Sequence, residues 1–343
     1  MTTPASPSHS LAVASLPPQK ADDLSAFDAE VNALIAAVRA QGLPIADPTA
    51  MPVERARKLA ERYHGFVNGR LPRISRAETL TLPGPAGDFP VRIVYPGAAV
   101  KTGAAVPVIV WLHGGGFVLN SIDTHERLFR LLALRSGAAV VGIGYSKAPD
   151  QRFPIQAAET AAALQWLRAE GLERGLDPTR IALGGDSAGA NLALSAAVAE
   201  TAAGRKLSGL ALFYGMYAPD FETESHKEHG DGRYGLSTER MRWYWSQYLG
   251  DADPRDPRAA PLHADLRGLP PVVLAAAGLD CLLDDSLCLA ELLTEANVET
   301  DLSIYPSLPH SFALMTAWVR AADGAVTRAA ARLRALLDVG PPL

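Results

Sequence analysis

Residues 182–191 read ALGGDSAGAN and contain the pentapeptide GDSAG at 185–189, which has the form G-x-S-x-G. The apolar run Ile181–Leu183 precedes it and predicts a buried strand, and the alanine-rich stretch 188–203 predicts a helix. A serine on a sharp strand-to-helix turn has a strained backbone and an exposed hydroxyl, with room left by the small flanking residues. The N-terminus of the following helix adds free N–H groups. This stretch therefore predicts Ser187 as a nucleophile within an α/β fold.

The base that such a serine needs is sought further along the chain. A serine hydroxyl is a weak nucleophile without a base, and on this type of turn the acid and then the histidine follow the serine. Four of the eight histidines follow Ser187, and three of those lie in or beside a polar interval without strands. His310, in PSLPHSF, comes just after the last apolar run. The order of residues therefore predicts His310 as the base.

The acid is expected between these two residues, at the end of a strand. The run VVLAA at 272–276 predicts that strand, and Asp280 follows it closely. Asp284 and Asp285 are nearby alternatives, although carboxylates there also suit the first turn of the next helix. Asp280 is the favoured acid.

A second glycine-rich stretch, WLHGGGF at 111–117, follows the apolar run from Val106. A flexible turn is one interpretation. The other is a loop whose bare backbone N–H groups stabilise the negative charge that develops on a carbonyl oxygen during acyl transfer. Hydrolases with a G-x-S-x-G turn use a loop of HGGG type together with the N–H after the nucleophile, here that of Ala188. That match favours an oxyanion hole, with His113 bracing the loop.

From about residue 78 onward, strand-like and helix-like runs alternate, which predicts a doubly wound α/β architecture with a mostly parallel sheet. The predicted strands are Val91–Tyr95, Val106–Leu112, Ala138–Tyr145, Ile181–Leu183, Leu210–Phe213, Val272–Ala276 and Thr300–Tyr305. The predicted helices between them are Thr124–Arg135, Ile155–Glu170, Ala188–Ala203, Ser286–Ala296 and Ala321–Leu337. Two further helices, Asp22–Ala40 and Pro52–Asn68, are predicted before the alternation begins.

Residues 215–262 break this alternation and are predicted to form an insertion over the active edge of the sheet. A short predicted helix there carries the aromatic residues Trp243, Tyr244, Trp245 and Tyr248. These side chains either pack inside a helical cap or form the wall of a substrate pocket. Trp243 and Tyr244, with Phe117 and Asp186 beside the two glycine-rich stretches, are the candidate substrate contacts.

Composition limits the classes of partner. The chain has 343 residues and a net charge of −5, so it has no basic footprint for nucleic acid or anionic membranes. Its two cysteines cannot form a disulfide framework or a metal site, and no apolar run is long enough to span a bilayer. Residues 1–20 lack a cationic region followed by a long apolar one, so we expect a mobile tail and a cytoplasmic protein. The oligomeric state is left open, and a homodimer is one expectation.

Five motifs in this order resemble those of the hormone-sensitive-lipase-like family of α/β-hydrolases, and especially its bacterial acetyl-esterase branch. They are HGGGF at 113–117, YSKAPDQRFP at 145–154, GDSAGAN at 185–191, AGLDCLLDD at 277–285 and YPSLPHSF at 305–312. The chain departs from the family where Cys281 follows the acid in place of the frequent proline, and where YSKAP replaces Tyr-Arg-Leu-Ala-Pro. These departures concern the preferred substrate and not the reaction.

The resemblance implies an α/β-hydrolase fold with a helical cap, and roles for individual residues. Ser187, Asp280 and His310 resemble the nucleophile, acid and base, and Gly115, Gly116 and Ala188 resemble the oxyanion-hole donors. Residues 1–68 and 215–262 would supply the N-terminal tail and the cap, and residues 69–214 and 263–343 the catalytic domain.

The function that these expectations imply is a carboxylesterase that hydrolyses short-chain esters of small molecules through an acyl-enzyme, without a metal or an organic cofactor. An amidase or peptidase with the same triad is the alternative. A non-catalytic ligand receptor of the same fold is a third reading, but such a receptor lacks a working triad, and His310 is present.

Overall fold

The computed structural model describes residues 22–43, 47–97 and 105–340. The tail expected over residues 1–20 lies outside the described residues. Within the described ranges, no helix is long and apolar enough to cross a membrane.

A central sheet of eight strands organises the molecule, in the order β1-β2-β4-β3-β5-β6-β7-β8. Strand β2 runs antiparallel to both of its neighbours, and every pairing from β4 to β8 is parallel. The strands are β1 Arg76–Leu82, β2 Phe89–Tyr95, β3 Val106–Leu112, β4 Ala139–Ile143, β5 Leu176–Asp186, β6 Gly209–Phe213, β7 Val272–Leu279 and β8 Thr300–Pro309. The predicted α/β-hydrolase architecture with a mostly parallel sheet is confirmed.

Helices cover both faces of this sheet. The helices of the described residues are α1 Asp22–Ala40, α2 Val53–Val67, α3 Glu126–Ser136, α4 Ile155–Glu170, α5 Ala188–Ala202, α6 Glu224–His229, α7 Thr238–Leu249, α8 Leu283–Glu295 and α9 Arg320–Leu336. Apolar side chains of α4, α5 and α8 share one buried cluster with one face of the strands. Those of α3 and α9 pack with the opposite face. Burial on both faces explains why strand β3, VPVIVWL, is apolar throughout and fully buried.

Strands β1 and β5 differ most from the prediction, and polar residues explain both differences. Strand β1 at the edge of the sheet was missed, because its sequence RAETLTL keeps most side chains exposed or half-buried. Strand β5 begins at Leu176, well before the apolar run that predicted it. The early part was missed because residues 177–180, DPTR, are exposed or only partly buried. Edge strands and strand ends lie in water on at least one side, so hydrophobicity alone does not detect them.

Helices α1 and α2 and the interval 215–262 lie over the carboxyl ends of the parallel strands. Helix α1 has the predicted bounds, and α2 differs from its prediction by one residue at each end. The interval 215–262 contributes α6 and α7. Leu34, Val38 and Val67 form a small buried cluster that joins α1 to α2. Side chains of α1, α2 and α7 border the same cavity as the carboxyl ends of the strands.

Candidate active site

Ser187 sits on the sharp turn between β5 and α5, with φ 54° and ψ −120°. Its N–H donates a hydrogen bond of 2.9 Å to the carbonyl of Phe213, which holds the unfavourable conformation in place. The flanking glycines are required by space, since a Cβ on Gly185 would lie 2.7 Å from the nitrogen of Ala190. A Cβ on Gly189 would lie 2.7 Å from the carbonyl oxygen of His113. The G-x-S-x-G spacing is therefore what lets the backbone turn here.

The three side chains predicted for catalysis form one continuous chain of hydrogen bonds. His310 Nε2 lies 2.9 Å from Ser187 Oγ, and His310 Nδ1 lies 2.6 Å from Asp280 Oδ2. Ser187 directly follows β5, and the other two directly follow β7 and β8, so all three stand at the carboxyl edge of the sheet. Asp280 is buried, and its other oxygen accepts the N–H of Leu282 at 3.1 Å. A carboxylate fixed in this way orients the imidazole with its Nε2 lone pair toward the serine hydroxyl.

The two alternative acids have other partners. Asp284 accepts the N–H of Ser225 at 2.8 Å. Asp285 is buried in the first turn of α8, where its Oδ1 accepts the backbone N–H groups of Tyr217 at 2.6 Å and Ala218 at 3.3 Å. Burial raises the pKa of Asp285 to about 8, although these two hydrogen bonds oppose the shift. Both residues therefore anchor the chain that follows β6, and only Asp280 contacts His310.

The glycine-rich loop lies beside the serine and presents backbone N–H groups. Gly115 and Gly116 border the same cavity as Ser187 and have φ values of 127° and 60°, which favour glycine. Within the described part of the chain, the N–H groups of Gly115, Gly116 and Ala188 have no hydrogen-bond acceptor. Ala188 is the first residue of α5, where such unpaired donors are expected. The arrangement can donate hydrogen bonds to an anionic oxygen bound next to the serine.

A buried polar cluster underlies this loop. Asp186 Oδ1 accepts hydrogen bonds from Trp111 Nε1 at 3.2 Å and from the N–H of Gly114 at 3.1 Å. His125 Nε2 lies 3.0 Å from the same carboxylate. A Cβ on Gly114 would lie 2.8 Å from the carbonyl oxygen of Asp186, so the loop and the serine turn are in direct contact.

A cavity of about 760 Å³ opens above Ser187 and His310. Its walls come from α1 and α2, from the glycine-rich loop, from residues 232–236 and α7, and from Met216 and Met315. This volume lies within the range of small-molecule sites. The lining combines apolar side chains with polar ones, which include Arg39, Arg233 and Arg240 besides Ser187 and His310.

Three of the four predicted substrate contacts do not border this cavity. Phe117 is fully buried and stacks on Tyr248 with ring centroids 3.6 Å apart. Asp186 is buried beneath the loop, and Trp243 packs against the core outside the lining. Tyr244 does border the cavity, and a Cβ on Gly116 would overlap its ring.

Other lining residues were not predicted at all. His64 on α2 and Asn120 after the glycine-rich loop both border the cavity. Burial and the nearby His125 lower the pKa of His64 to about 3, so its ring is neutral. Neither residue belongs to a short motif, so only the packing of α2 over the sheet reveals them.

Comparison with known proteins agrees with this architecture. Residues 109–314 match the family model described as the alpha/beta hydrolase fold. The chain is 36% identical to carboxylesterase NlhH of Mycobacterium tuberculosis over 256 residues, which cover 73% of this chain and 79% of that protein. It is 32% identical to the acetyl esterase of Salmonella schwarzengrund over 285 residues, which cover 81% of this chain and 86% of that one.

A solved structure supports the same conclusion. The hyperthermophilic esterase from the archaeon Pyrobaculum calidifontis superimposes with a TM-score of 0.79 at 32% identity, over 83% of this chain and 92% of that one. The chain therefore belongs to the hormone-sensitive-lipase-like family of α/β-hydrolases and is a carboxylic ester hydrolase.

Proposed function

We propose that this enzyme is a serine carboxylesterase that hydrolyses short-chain acyl esters through an acyl-enzyme on Ser187. The observation that carries the proposal is the continuous chain of hydrogen bonds from Ser187 Oγ through His310 to Asp280, with distances of 2.9 Å and 2.6 Å. The unpaired N–H groups of the neighbouring loop support it further.

In the first half of the reaction, His310 Nε2 takes the proton of Ser187 Oγ as that oxygen attacks the carbonyl carbon of the ester. The carbonyl oxygen becomes anionic and accepts hydrogen bonds from the N–H groups of Gly115, Gly116 and Ala188. Asp280 stabilises the imidazolium that forms. When the carbon–oxygen bond to the alcohol breaks, His310 returns the proton to the leaving alcohol and the acyl group stays on Ser187.

The second half repeats these steps with water. His310 Nε2 removes a proton from a water molecule, whose oxygen attacks the acyl carbonyl, and the same N–H groups stabilise the second anionic intermediate. Collapse of this intermediate breaks the bond to Ser187 Oγ, which takes the proton back from His310. The carboxylic acid leaves, and the enzyme regains its resting state without a metal or an organic cofactor in any step.

The preference for short acyl chains rests on two observations. The Tyr244 ring packs directly over Gly116, so a bulky group stands close to the site of attack. One relative bears the name acetyl esterase, which denotes the shortest of these acyl groups. We propose that the acyl group binds between the glycine-rich loop and Tyr244, and that α1, α2 and residues 215–262 form the cap over it.

An experiment on acylation tests the proposal directly. Mixing the enzyme with excess nitrophenyl acetate should release a burst of about one equivalent of nitrophenol per chain wherever deacylation is the slower half. Mass spectrometry of a rapidly quenched sample should find the acetyl group on the peptide that contains Ser187. Acylation of a different residue would contradict the proposal, and so would hydrolysis that continues undiminished after that serine is replaced.

A further inference from the structure

The hydrogen atoms of the buried cluster beneath the glycine-rich loop can be counted from its contacts. Thr124 Oγ1 lies 2.8 Å from the carbonyl oxygen of Ser121, which can only accept, so the hydroxyl donates there. His125 Nδ1 lies 2.9 Å from the same hydroxyl oxygen. Since that hydroxyl has no second hydrogen, His125 Nδ1 must carry a proton and donate it. One of the two ring nitrogens is thereby assigned.

The other ring nitrogen of His125 faces a carboxylate. Its Nε2 lies 3.0 Å from Asp186 Oδ1 and 3.2 Å from Oδ2. The Gly114 N–H is also directed at Nε2, at 3.3 Å, but its shorter contact of 3.1 Å is to Asp186 Oδ1, which satisfies that donor. A lone pair on Nε2 would face both carboxylate oxygens and repel them, so a proton belongs between the two groups. The cluster therefore contains one proton more than a neutral imidazole and a free carboxylate would hold together.

This additional proton belongs on His125, because Asp186 is surrounded by donors. Its carboxylate accepts from Trp111 Nε1 and from the N–H of Gly114, in addition to His125. Three donors favour the ionised carboxylate. Burial alone would raise the pKa of Asp186, but the charge and hydrogen bond of His125 and the hydrogen bond of Trp111 hold it below its usual value.

The other ionisable rings of this cluster do not compete for the proton. His113 lies with its ring centroid 5.6 Å from that of His125, and His64 packs nearby on α2. Burial, and then the nearby His125, lower the pKa of each to about 3, so both rings are neutral. Tyr145 is buried, which raises its pKa well above the usual value and keeps it neutral too.

We propose that His125 is a positioning residue: as an imidazolium paired with Asp186, it fixes the Gly114 N–H and so aligns the glycine-rich loop with Ser187 for oxyanion stabilisation. The pair joins the two segments that supply the donors, because Asp186 directly precedes Ser187 and Gly114 directly precedes Gly115. His125 itself is fully buried and does not border the cavity. The positive charge on His125 is inferred from contacts alone. The effect of that charge on catalysis rests on the proposed function.

The charge can be measured without any turnover. Histidine labelled with nitrogen-15 in the full-length protein should show, for His125 at pH 7, two protonated ring nitrogens with imidazolium shifts. The assignment follows from the signals that disappear in a His125→Gln variant, and His64 and His113 should show one protonated nitrogen each. A neutral His125 ring would overturn the proposal, whatever the fate of the serine mechanism.

The effect on the oxyanion can be measured separately. His125→Gln should lower kcat about 10-fold to 100-fold with little change in KM. Misaligned N–H groups in the glycine-rich loop would stabilise the anionic transition state less, while substrate binding would stay the same. A trifluoromethyl ketone, which forms an anionic adduct with the serine, should lose affinity by a similar factor. Asp186→Asn should do the same, because it removes the partner charge. Unchanged affinity for the ketone in both variants would overturn the positioning role.

A matched control separates this role from general damage to the fold. His226 is another buried histidine, hydrogen-bonded to Thr238 at 2.8 Å, and it does not border the cavity. His226→Gln should leave kcat and affinity for the ketone unchanged. Equal losses in the two glutamine variants would show that the effect of His125 is not specific to the loop, and would also overturn the proposal.

Discussion

His310 Nδ1 lies 2.6 Å from Asp280 Oδ2, whereas the neighbouring carboxylate of Asp284 accepts the N–H of Ser225. Two acids four residues apart therefore have separate partners: one holds His310, and the other holds the chain after β6. The difference follows from their positions in the chain, because Asp280 comes directly after β7 and Asp284 already lies in α8.

This separation predicts unequal effects of two equivalent substitutions. Asp280→Asn should lower kcat by a factor on the order of 10⁴, because the amide no longer fixes the imidazole in the tautomer that accepts the serine proton. Asp284→Asn should change kcat by less than about threefold, since an amide oxygen can still accept the N–H of Ser225. Steady-state rates with nitrophenyl acetate measure both. The reverse ranking would move the acid to Asp284.

The proposed nucleophile gives a second prediction. Ser187→Ala should lower kcat by a factor on the order of 10⁴–10⁶ while the thermal transition stays within a few degrees of that of the wild type. A fluorophosphonate probe should label the wild type once per chain and should not label the variant. Labelling that persists in Ser187→Ala would assign the nucleophile to another residue.

Much of this site could be predicted from the sequence, because its parts are short and local. The serine turn needs glycines at fixed positions, and the loop near Gly115 needs backbone without side chains, so both leave clear motifs. His310 and Asp280 follow from the order of residues along parallel strands whose carboxyl ends meet at one edge. Local geometry of this kind is visible in sequence because few residue types satisfy it.

The substrate pocket could not be predicted in the same way, because it depends on packing between distant segments. Phe117 is adjacent to the glycine-rich loop in sequence, yet its ring turns into the core and stacks on Tyr248. His64 borders the cavity from α2, more than a hundred residues before Ser187. The sequence does not distinguish the four aromatic residues of α7 from one another. The rotation of this helix about its axis decides that Tyr244 faces the cavity.

Asp285 predicts a dependence of stability on pH. Its pKa is raised from 3.8 to about 8 in the folded protein. Between those values the folded state keeps a proton that the unfolded chain has released. The contribution of Asp285 to the free energy of unfolding is therefore complete below about pH 4, and it disappears as the pH rises to about 8. A single titrating group changes the free energy of unfolding by at most about 1.4 kcal/mol for each pH unit.

Asp285→Asn should therefore flatten the fall in the free energy of unfolding between pH 5 and pH 8, because its amide can accept the same two N–H groups without ionising. Urea denaturation at several pH values measures this slope. Asp284→Asn serves as the control, and its slope should equal that of the wild type. Parallel slopes for all three proteins would contradict the raised pKa.

Two glycine substitutions should have opposite effects on stability. A Cβ on Gly189 would lie 2.7 Å from the carbonyl oxygen of His113, so Gly189→Ala should destabilise the fold by several kcal/mol or prevent folding. Gly324 lies exposed in α9, where a Cβ meets nothing within 4 Å, and Gly324→Ala should stabilise by about 0.5–1 kcal/mol. Thermal melts compare the two. A Gly189→Ala protein as stable as the wild type would show that the turn tolerates a side chain.

The preference for short chains makes the last prediction. Each methylene of an acyl chain that becomes buried gains about 0.8 kcal/mol while the pocket has room, so kcat/KM should rise with chain length until the chain meets a wall. Tyr244 packs over Gly116 next to the site of attack, which places that wall early. We expect the optimum for nitrophenyl esters between C2 and C6 and a steep fall beyond C8. Tyr244→Ala should move the optimum toward longer chains.

Trp243 supplies the matched control, because it is adjacent in sequence and of similar size but does not border the cavity. Its ring lies 5.2 Å from that of Tyr244, centroid to centroid, so its loss affects the wall only indirectly. Trp243→Ala should leave the chain-length optimum where it is in the wild type, even if both variants lose some stability. Efficient hydrolysis of C12 to C16 esters by the wild type would refute the short-chain proposal. An optimum that moves in Trp243→Ala and stays fixed in Tyr244→Ala would place the wall on the other face of α7.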